Sequence, residues 1–143
     1  MSLPERVKQA RENHDFAPLI EMIPYARLIG ISCLNLGEEV VFVLPPLEDN
    51  IGNPTLPAIH GGVIGGFMEN AAIFHALAKL ELFAMPKVVD FSLDYLRPGR
   101  YQTTYANCSV VRQGRKVVNV SVTAWQNRRD EPIANARTHL LFE

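Results

Sequence analysis

Apolar and polar positions change rhythm several times along this chain, and each change marks an element. Residues 3–22 mix charge with apolar positions Leu3, Val7, Ala10, Leu19 and Ile20. That spacing predicts a helical N-terminal arm, broken near Pro18 and ended by Pro24. Two strands are expected next, over 27–36 and 38–44, on either side of Gly37. In the second, Val40, Phe42 and Leu44 face one way and Val41 and Val43 the other, so both faces should be covered. Residues 45–60 are rich in Pro, Gly and Asn and read as a long loop. Loops of that length in a compact domain are uncommon and usually functional or disordered, and because this one delivers the chain to His60 the functional reading is expected.

Residues 62–83 then read as one long helix. Its first turns are apolar all round, as in a helix buried on most sides, and Pro86 lies beyond its end. From there the period falls to two. Over 87–96, Val89, Phe91, Leu93 and Tyr95 alternate with Asp90, Ser92 and Asp94. Further strands follow at 101–112, 116–126 and 133–142, with turns at 97–100, 113–115 and 127–132. The simplest pairing is an antiparallel meander, and a sheet with one apolar helix to cover must curl around it. The expectation is an α+β protein, with residues 1–26 as a helical arm and 27–143 as the main domain.

Composition narrows the function. The 143 residues are 48% hydrophobic and 20% charged, with a net charge of −1, which offers no nucleic-acid footprint. Cys33 and Cys108 are far apart and sit among apolar neighbours, so both are read as buried, reduced thiols. The four histidines form no cluster, so no metal site is expected. The apolar stretch from Val63 to Ala84 is interrupted by Glu69, Asn70, His75, Lys79 and Glu81, which favours a core helix over a membrane span. Residues 1–12 are charged, with no apolar run behind them, so a cytoplasmic protein is the expectation.

The candidate chemistry lies at one junction. The loop ends at His60-Gly61-Gly62, and Glu69 follows inside the apolar segment. An acid in a buried helix is costly unless it is paired or used. Glycines at a helix start leave backbone N–H groups open, at the positive end of the helix dipole. A carbonyl polariser and a carboxylate together suggest acyl transfer. His75, further along the helix, is read as a packed core residue. The cations Arg97, Arg100, Arg112, Arg115 and Lys116 gather at sheet turns.

The order of elements resembles the hotdog fold, in which a curved antiparallel sheet wraps a central helix. His60-Gly61-Gly62, the acid nine residues after the His, Tyr95-Leu96-Arg97-Pro98 and Gln113-Gly114-Arg115-Lys116-Val117-Val118 are similar to motifs of the PaaI-like acyl-CoA thioesterases. The resemblance implies hydrolysis of an acyl-CoA to a carboxylic acid and free CoA. It makes Glu69 the general base or nucleophile and the Gly61 N–H the group that polarises the carbonyl. His60 would orient loop and substrate, and Asn53 the attacking water or carboxylate, with Asn50 as a second candidate. Gly62, Gly65, Gly66, Asn70, Val88, Arg97 and Arg115 are the expected substrate contacts, the two arginines toward the phosphates of coenzyme A. Val88 stands where some relatives carry a Ser or Thr that holds the water. No cofactor is implied, coenzyme A being part of the substrate.

Helix geometry adds a constraint. Gly61 and Glu69 are separated by about 12 Å of rise, too far for one carbonyl carbon to touch both. If both act on one thioester, Glu69 comes from a second subunit and the site lies at a symmetric homodimer interface. Further pairing into a tetramer is also expected. Four glycines in six residues cost roughly 1 kcal/mol each against Ala, so close approach by a partner helix or by the acyl chain should compensate at Gly65 and Gly66. Two other readings stay open: an acyl-thioester-binding module without turnover, and a hotdog dehydratase or hydratase.

Overall fold

The computed structural model describes residues 1–81 and 84–143. The arm folds as three short helices. The first, α1 (Leu3–Asn13), starts at a Ser2–Glu5 capping box and stops where His14 turns left-handed. Next come α2 (Ala17–Ile20) and α3 (Pro24–Ile29). Two prolines act differently from what the sequence predicts. Pro18 and Pro24 do not break or end helices; each lies in the first turn of one, where a missing N–H costs nothing. Arg27–Ile29 are therefore helical, and strand β1 begins only at Ser32, after Gly30 has closed α3 at φ 86°.

Strands β1 (Ser32–Leu36) and β2 (Glu39–Leu44) form a hairpin around Gly37, whose φ is 67°. Val40, Phe42 and Leu44 enter the core, Val41 is buried on the other face and Val43 is half-buried. The 45–60 segment is neither helix nor central strand. It carries a 3₁₀ turn at Glu48–Asn50 and a small hairpin of β3 (Ile51–Asn53) and β4 (Ala58–Ile59). The long helix, α4, runs Gly61–Lys79. It ends earlier than predicted because Leu80 is already extended, while Arg11 of the arm donates to the carbonyls of Leu77 and Leu80 at the negative end of the dipole. The predicted last two positions, 82 and 83, lie outside the described residues.

Four long strands follow: β5 (Lys87–Tyr95), β6 (Thr104–Gln113), β7 (Val117–Trp125) and β8 (Ala134–Leu141). The main sheet is antiparallel, in the order β1-β2-β6-β7-β8-β5. Only β6, β7 and β8 meander. The expected β5–β6 pairing is replaced by β5–β8, which leaves β5 on an edge. Residues 96–103 instead cross the ends of β8 and β7. Leu96 and Arg97 N–H groups donate to the Ile133 carbonyl, and the buried Gln126 side chain bonds both the N–H and the C=O of Arg100. The alternation in β5 also differs from the simple period. A bulge between Val88 and Asp90 turns Val89 outward, 54% exposed, and puts Val88 inward with Phe91 and Leu93.

Helix α4 packs on β2, β6, β7 and β8 and, on another side, on α1 and α3. Phe67, Met68, Phe74 and Leu77 are its fully buried anchors, against Phe42, Val118, Val120 and Leu140 of the sheet. The helix is buried on most sides, as its apolar surroundings predicted. What stays at least partly accessible is the first turn (Gly61, Gly62 and Val63), an open line of Gly65, Gly66, Glu69 and Ile73 beyond it, and Lys79 at the end.

Candidate active site

The 45–60 segment delivers His60 in a fixed pose. Its backbone N–H donates to the Asn50 carbonyl at 2.9 Å, and a Cβ on Gly52 would lie 2.7 Å from His60 Cα. Asn50 is itself buried, with Nδ2 on the Ile29 carbonyl at 3.1 Å, so arm and loop are tied together behind the histidine. His60 then caps α4: its Nδ1 accepts from the Gly62 N–H at 2.9 Å, and its carbonyl accepts from Val63. As an acceptor, Nδ1 carries no proton, so the ring N–H is on Nε2. Gly62 has to be glycine, since a Cβ would meet His60 Nδ1 at 2.9 Å.

Of the first three N–H groups of α4, this leaves Gly61 without an acceptor among the described residues. Tyr95 fixes the same residue from β5, its hydroxyl donating to the Gly61 carbonyl at 2.7 Å. A Cβ on Gly61 would lie 3.1 Å from that hydroxyl oxygen. Beside them is a cavity of about 340 Å³, lined mainly by apolar groups including Ile64, Tyr95, Leu96 and Pro98. One open donor, held rigidly next to an apolar groove, can stabilise charge growing on a carbonyl oxygen.

Glu69 differs from the buried acid the sequence suggested. Its side chain is half-buried on the open line of α4, and no hydrogen bond or ion pair to another described residue engages the carboxylate. Its helical neighbours are occupied from within the chain. Leu93 lies 3.3 Å from where a Gly65 Cβ would be, and Tyr25 lies 2.6 Å from where a Gly66 Cβ would be. The close approach expected of a partner helix or an acyl chain is thus supplied by β5 and α3. Asn70 turns back on its own helix, donating to the Gly66 carbonyl at 2.8 Å. Asn53 is exposed, and its Oδ1 caps its own turn through the Thr55 and Leu56 N–H groups.

The remaining predicted contacts do not converge in one chain. Arg97 lies at the Gly61 end of the sheet, with Nη1 on the Pro132 carbonyl at 2.6 Å. Val88 is at the other end of β5, roughly 24 Å of strand from Tyr95. Arg115 shares that far end, where it lines a cavity of about 500 Å³ with Arg112, Lys116 and His139. Among the described residues, no three His, Cys, Asp or Glu side chains gather as a metal site would need, and no helix is long and apolar enough to cross a membrane. Cys33 and Cys108 are free and half-buried, and burial pushes both thiols up from their ordinary value. His75 is buried, as predicted, and desolvation, with help from Lys79, lowers it to about 4.

Comparison with known proteins decides the family. Residues 56–133, more than half of the chain, match the thioesterase superfamily. The chain belongs to that superfamily. Its architecture is the hotdog fold, and thioester hydrolysis is the class of chemistry to which the family assigns it. A curated relative, the medium/long-chain acyl-CoA thioesterase YigI of Escherichia coli, is 28% identical over 111 residues, covering 66% of this chain and 70% of its own. A protein from Chromobacterium violaceum is 42% identical over 97% of both chains, with a TM-score of 0.80. The Bacillus halodurans protein BH2602, solved with CoA, shares the fold at 18% identity and a TM-score of 0.73, over 97% of this chain and 92% of its own.

Two contributors were not singled out from sequence. Tyr95 lies in the Tyr95-Leu96-Arg97-Pro98 motif, and its signal there is that of a strand-end aromatic after a polar alternation. Tyr25 had none, because its contact joins residues 41 positions apart.

Proposed function

We propose that this protein hydrolyses acyl-CoA thioesters, with the Gly61 N–H polarising the carbonyl and Glu69 supplying the base or nucleophile. The observation that carries the reading is the pairing of an unclaimed N–H at the start of α4 with an unclaimed carboxylate further along its open line. As base, Glu69 takes a proton from water as the water oxygen bonds the carbonyl carbon. The tetrahedral intermediate then expels the CoA thiolate, which takes up a proton. As nucleophile, the carboxylate oxygen bonds the carbonyl carbon and the C–S bond breaks, releasing the CoA thiolate to take up a proton and leaving an acyl anhydride on Glu69 that water opens. Single turnover in H₂¹⁸O that leaves ¹⁸O in Glu69 identifies the nucleophile route with water opening the anhydride at the Glu69 carbonyl carbon, a label that base catalysis cannot place there.

The roughly 12 Å between Gly61 and Glu69 argues for a homodimer with shared sites. The edge position of β5 supports it, since an unpaired edge strand is a template for another. Antiparallel pairing of two β5 strands would carry Val88 and Arg115 of the second copy toward this chain's Gly61 and Arg97. The two arginines, separated within one chain, would then flank one site and could share the CoA phosphates. Pairing of dimers into a tetramer belongs to the same proposal. The arrangement needs no cofactor beyond the substrate's own coenzyme A, and a cytoplasmic location suits that substrate.

A non-catalytic acyl-thioester-binding role is the second reading. Val88 has no hydroxyl to offer a water, and the Asn53 oxygen is committed to its own turn. Thiol release from short, medium, long and aromatic acyl-CoAs, with Glu69→Ala beside the wild type, decides between them. Loss of about 10³-fold or more in a folded variant supports hydrolysis by Glu69. Binding without turnover in the wild type supports the second reading, and turnover indifferent to the substitution removes Glu69 from the chemistry.

A further inference from the structure

Gly66 is not explained by the reaction. A Cβ at this position would come within 2.6 Å of Tyr25 Cε1 and 2.8 Å of its hydroxyl oxygen, so the bare backbone exists to admit this ring. Tyr25 is not there as core. It is 40% exposed, and its hydroxyl has no partner among the described residues. Its neighbours Ala26 and Ile29, both almost fully buried, fasten α3, and Tyr25 is thereby presented along the flank of α4. On the other flank, Leu93 Cδ2 stands 3.3 Å from the missing Gly65 Cβ, with Phe91 behind it. Glu69 is the next turn along, on the same open line.

We propose that Tyr25 is a specificity-determining residue whose ring forms one wall of the acyl groove, opposite Leu93, and limits the chain that can lie beside Glu69. The proposal rests on the acyl-thioester reading of the site. An acyl chain begins at the carbonyl carbon and must leave the Glu69 carboxylate along apolar surface. The apolar surface flanking the turn before that carboxylate is the exposed Tyr25 ring against Gly66 and the half-buried Leu93 and Phe91 at Gly65, with half-buried Ile73 one turn beyond Glu69. A wall contributed by the arm sets how wide and how long the groove is, while the chemistry stays on α4. Each methylene admitted or refused changes discrimination by roughly tenfold or more.

The test measures binding of non-hydrolysable acyl-CoA thioethers with butyl, octyl, dodecyl, hexadecyl and phenylethyl chains, alongside kcat/KM for the matching thioesters. Tyr25→Ala should move the preferred chain by at least four carbons, with about tenfold tighter relative binding of the longer ligand, while Tyr25→Phe keeps the wild-type profile. Gly66→Ala, which pushes the ring aside, should also disturb the profile. Tyr25→Leu serves if the alanine variant does not fold. A profile unmoved by Tyr25→Ala or Leu overturns the wall, as does a shift equally large in Tyr25→Phe. A Tyr25-dependent binding profile with no hydrolysis keeps the wall and removes the hydrolytic reading. Glu69-dependent hydrolysis with an unmoved profile does the reverse. Failure of the wild type to bind any thioether overturns both.

Discussion

The first turn of α4 and the turn that carries Glu69 are built on opposite plans. At the first turn, His60, Asn50, Gly52, Gly62 and Tyr95 lock one another in place, and the Gly61 N–H is the single donor they leave over. One turn later the glycines are filled from the flanks by Leu93 and Tyr25, yet Glu69, a further turn on, is held by no described residue. A donor aimed at a carbonyl oxygen is most effective when it needs no reorganisation, and the contacts around the first turn supply that rigidity. A carboxylate that moves protons or attacks must stay accessible. The difference is between a first turn fixed by contacts within the chain and a mid-helix turn whose carboxylate no described residue engages; under the proposed function, substrate and a second copy complete the latter.

The sharpest way to break that comparison is Gly61→Pro. Proline is favoured at the first helical position, and His60, at φ −57° and ψ 130°, already has the extended backbone that precedes proline. Only the N–H is removed, with a small displacement of Tyr95. Turnover should fall about 10²–10³-fold with the fold intact, as kcat and circular dichroism would report. Unchanged kcat would mean the open donor is incidental.

The second test contrasts Glu69 with His75, about one and a half turns further along α4. Glu69 is open, whereas His75 is sealed in, its pKa lowered to about 4 with its Nδ1 unpartnered. From pH 6.5 down to about 4 the unfolded chain binds a proton here that the folded chain refuses. Stability from this group is therefore complete above pH 6.5 and is lost as pH falls through that window, by up to roughly 3 kcal/mol. Urea denaturation across pH 4–7 should show the slope, and His75→Leu should flatten it. Glu69→Ala should leave stability at pH 7 nearly unchanged, since no described residue pairs with it.

Tyr95→Phe is the mildest test. It deletes the hydrogen bond to the Gly61 carbonyl while keeping the ring, at a cost of about 1 kcal/mol in stability. A fall in kcat of about tenfold with little change in KM would place Tyr95 as a positioning residue for the first turn. A change in KM alone would put its importance in the adjoining groove instead.

Periodicity made the long helix, its burial and the β-strands on either side of it legible, because 3.6- and 2-residue rhythms are local properties of the chain. It also located the His60–Gly62 cap and the carboxylate nine residues after the histidine. It misjudged Pro18 and Pro24, since a proline that opens a helix and one that closes it look alike without the caps. It missed the outward turn of Val89 because a bulge breaks the period without leaving a residue type behind. The β5–β6 pairing failed for another reason. Neighbours in sequence pair by default, but Gln126 and the Ile133 carbonyl hold the 96–103 segment across the sheet ends instead.

What the sequence determined by itself was therefore whatever is written in local spacing: helix, strands, cap and the order of the candidate groups. Only the tertiary structure decided that β5 is an edge, that Arg97 and Arg115 sit at opposite ends, and that Glu69 is open rather than buried. It alone set Tyr25 and Tyr95 against the glycines of α4. These are contacts between distant residues, fixed when the sheet closes on the helix, and no local pattern of side chains encodes which distant surface each will meet.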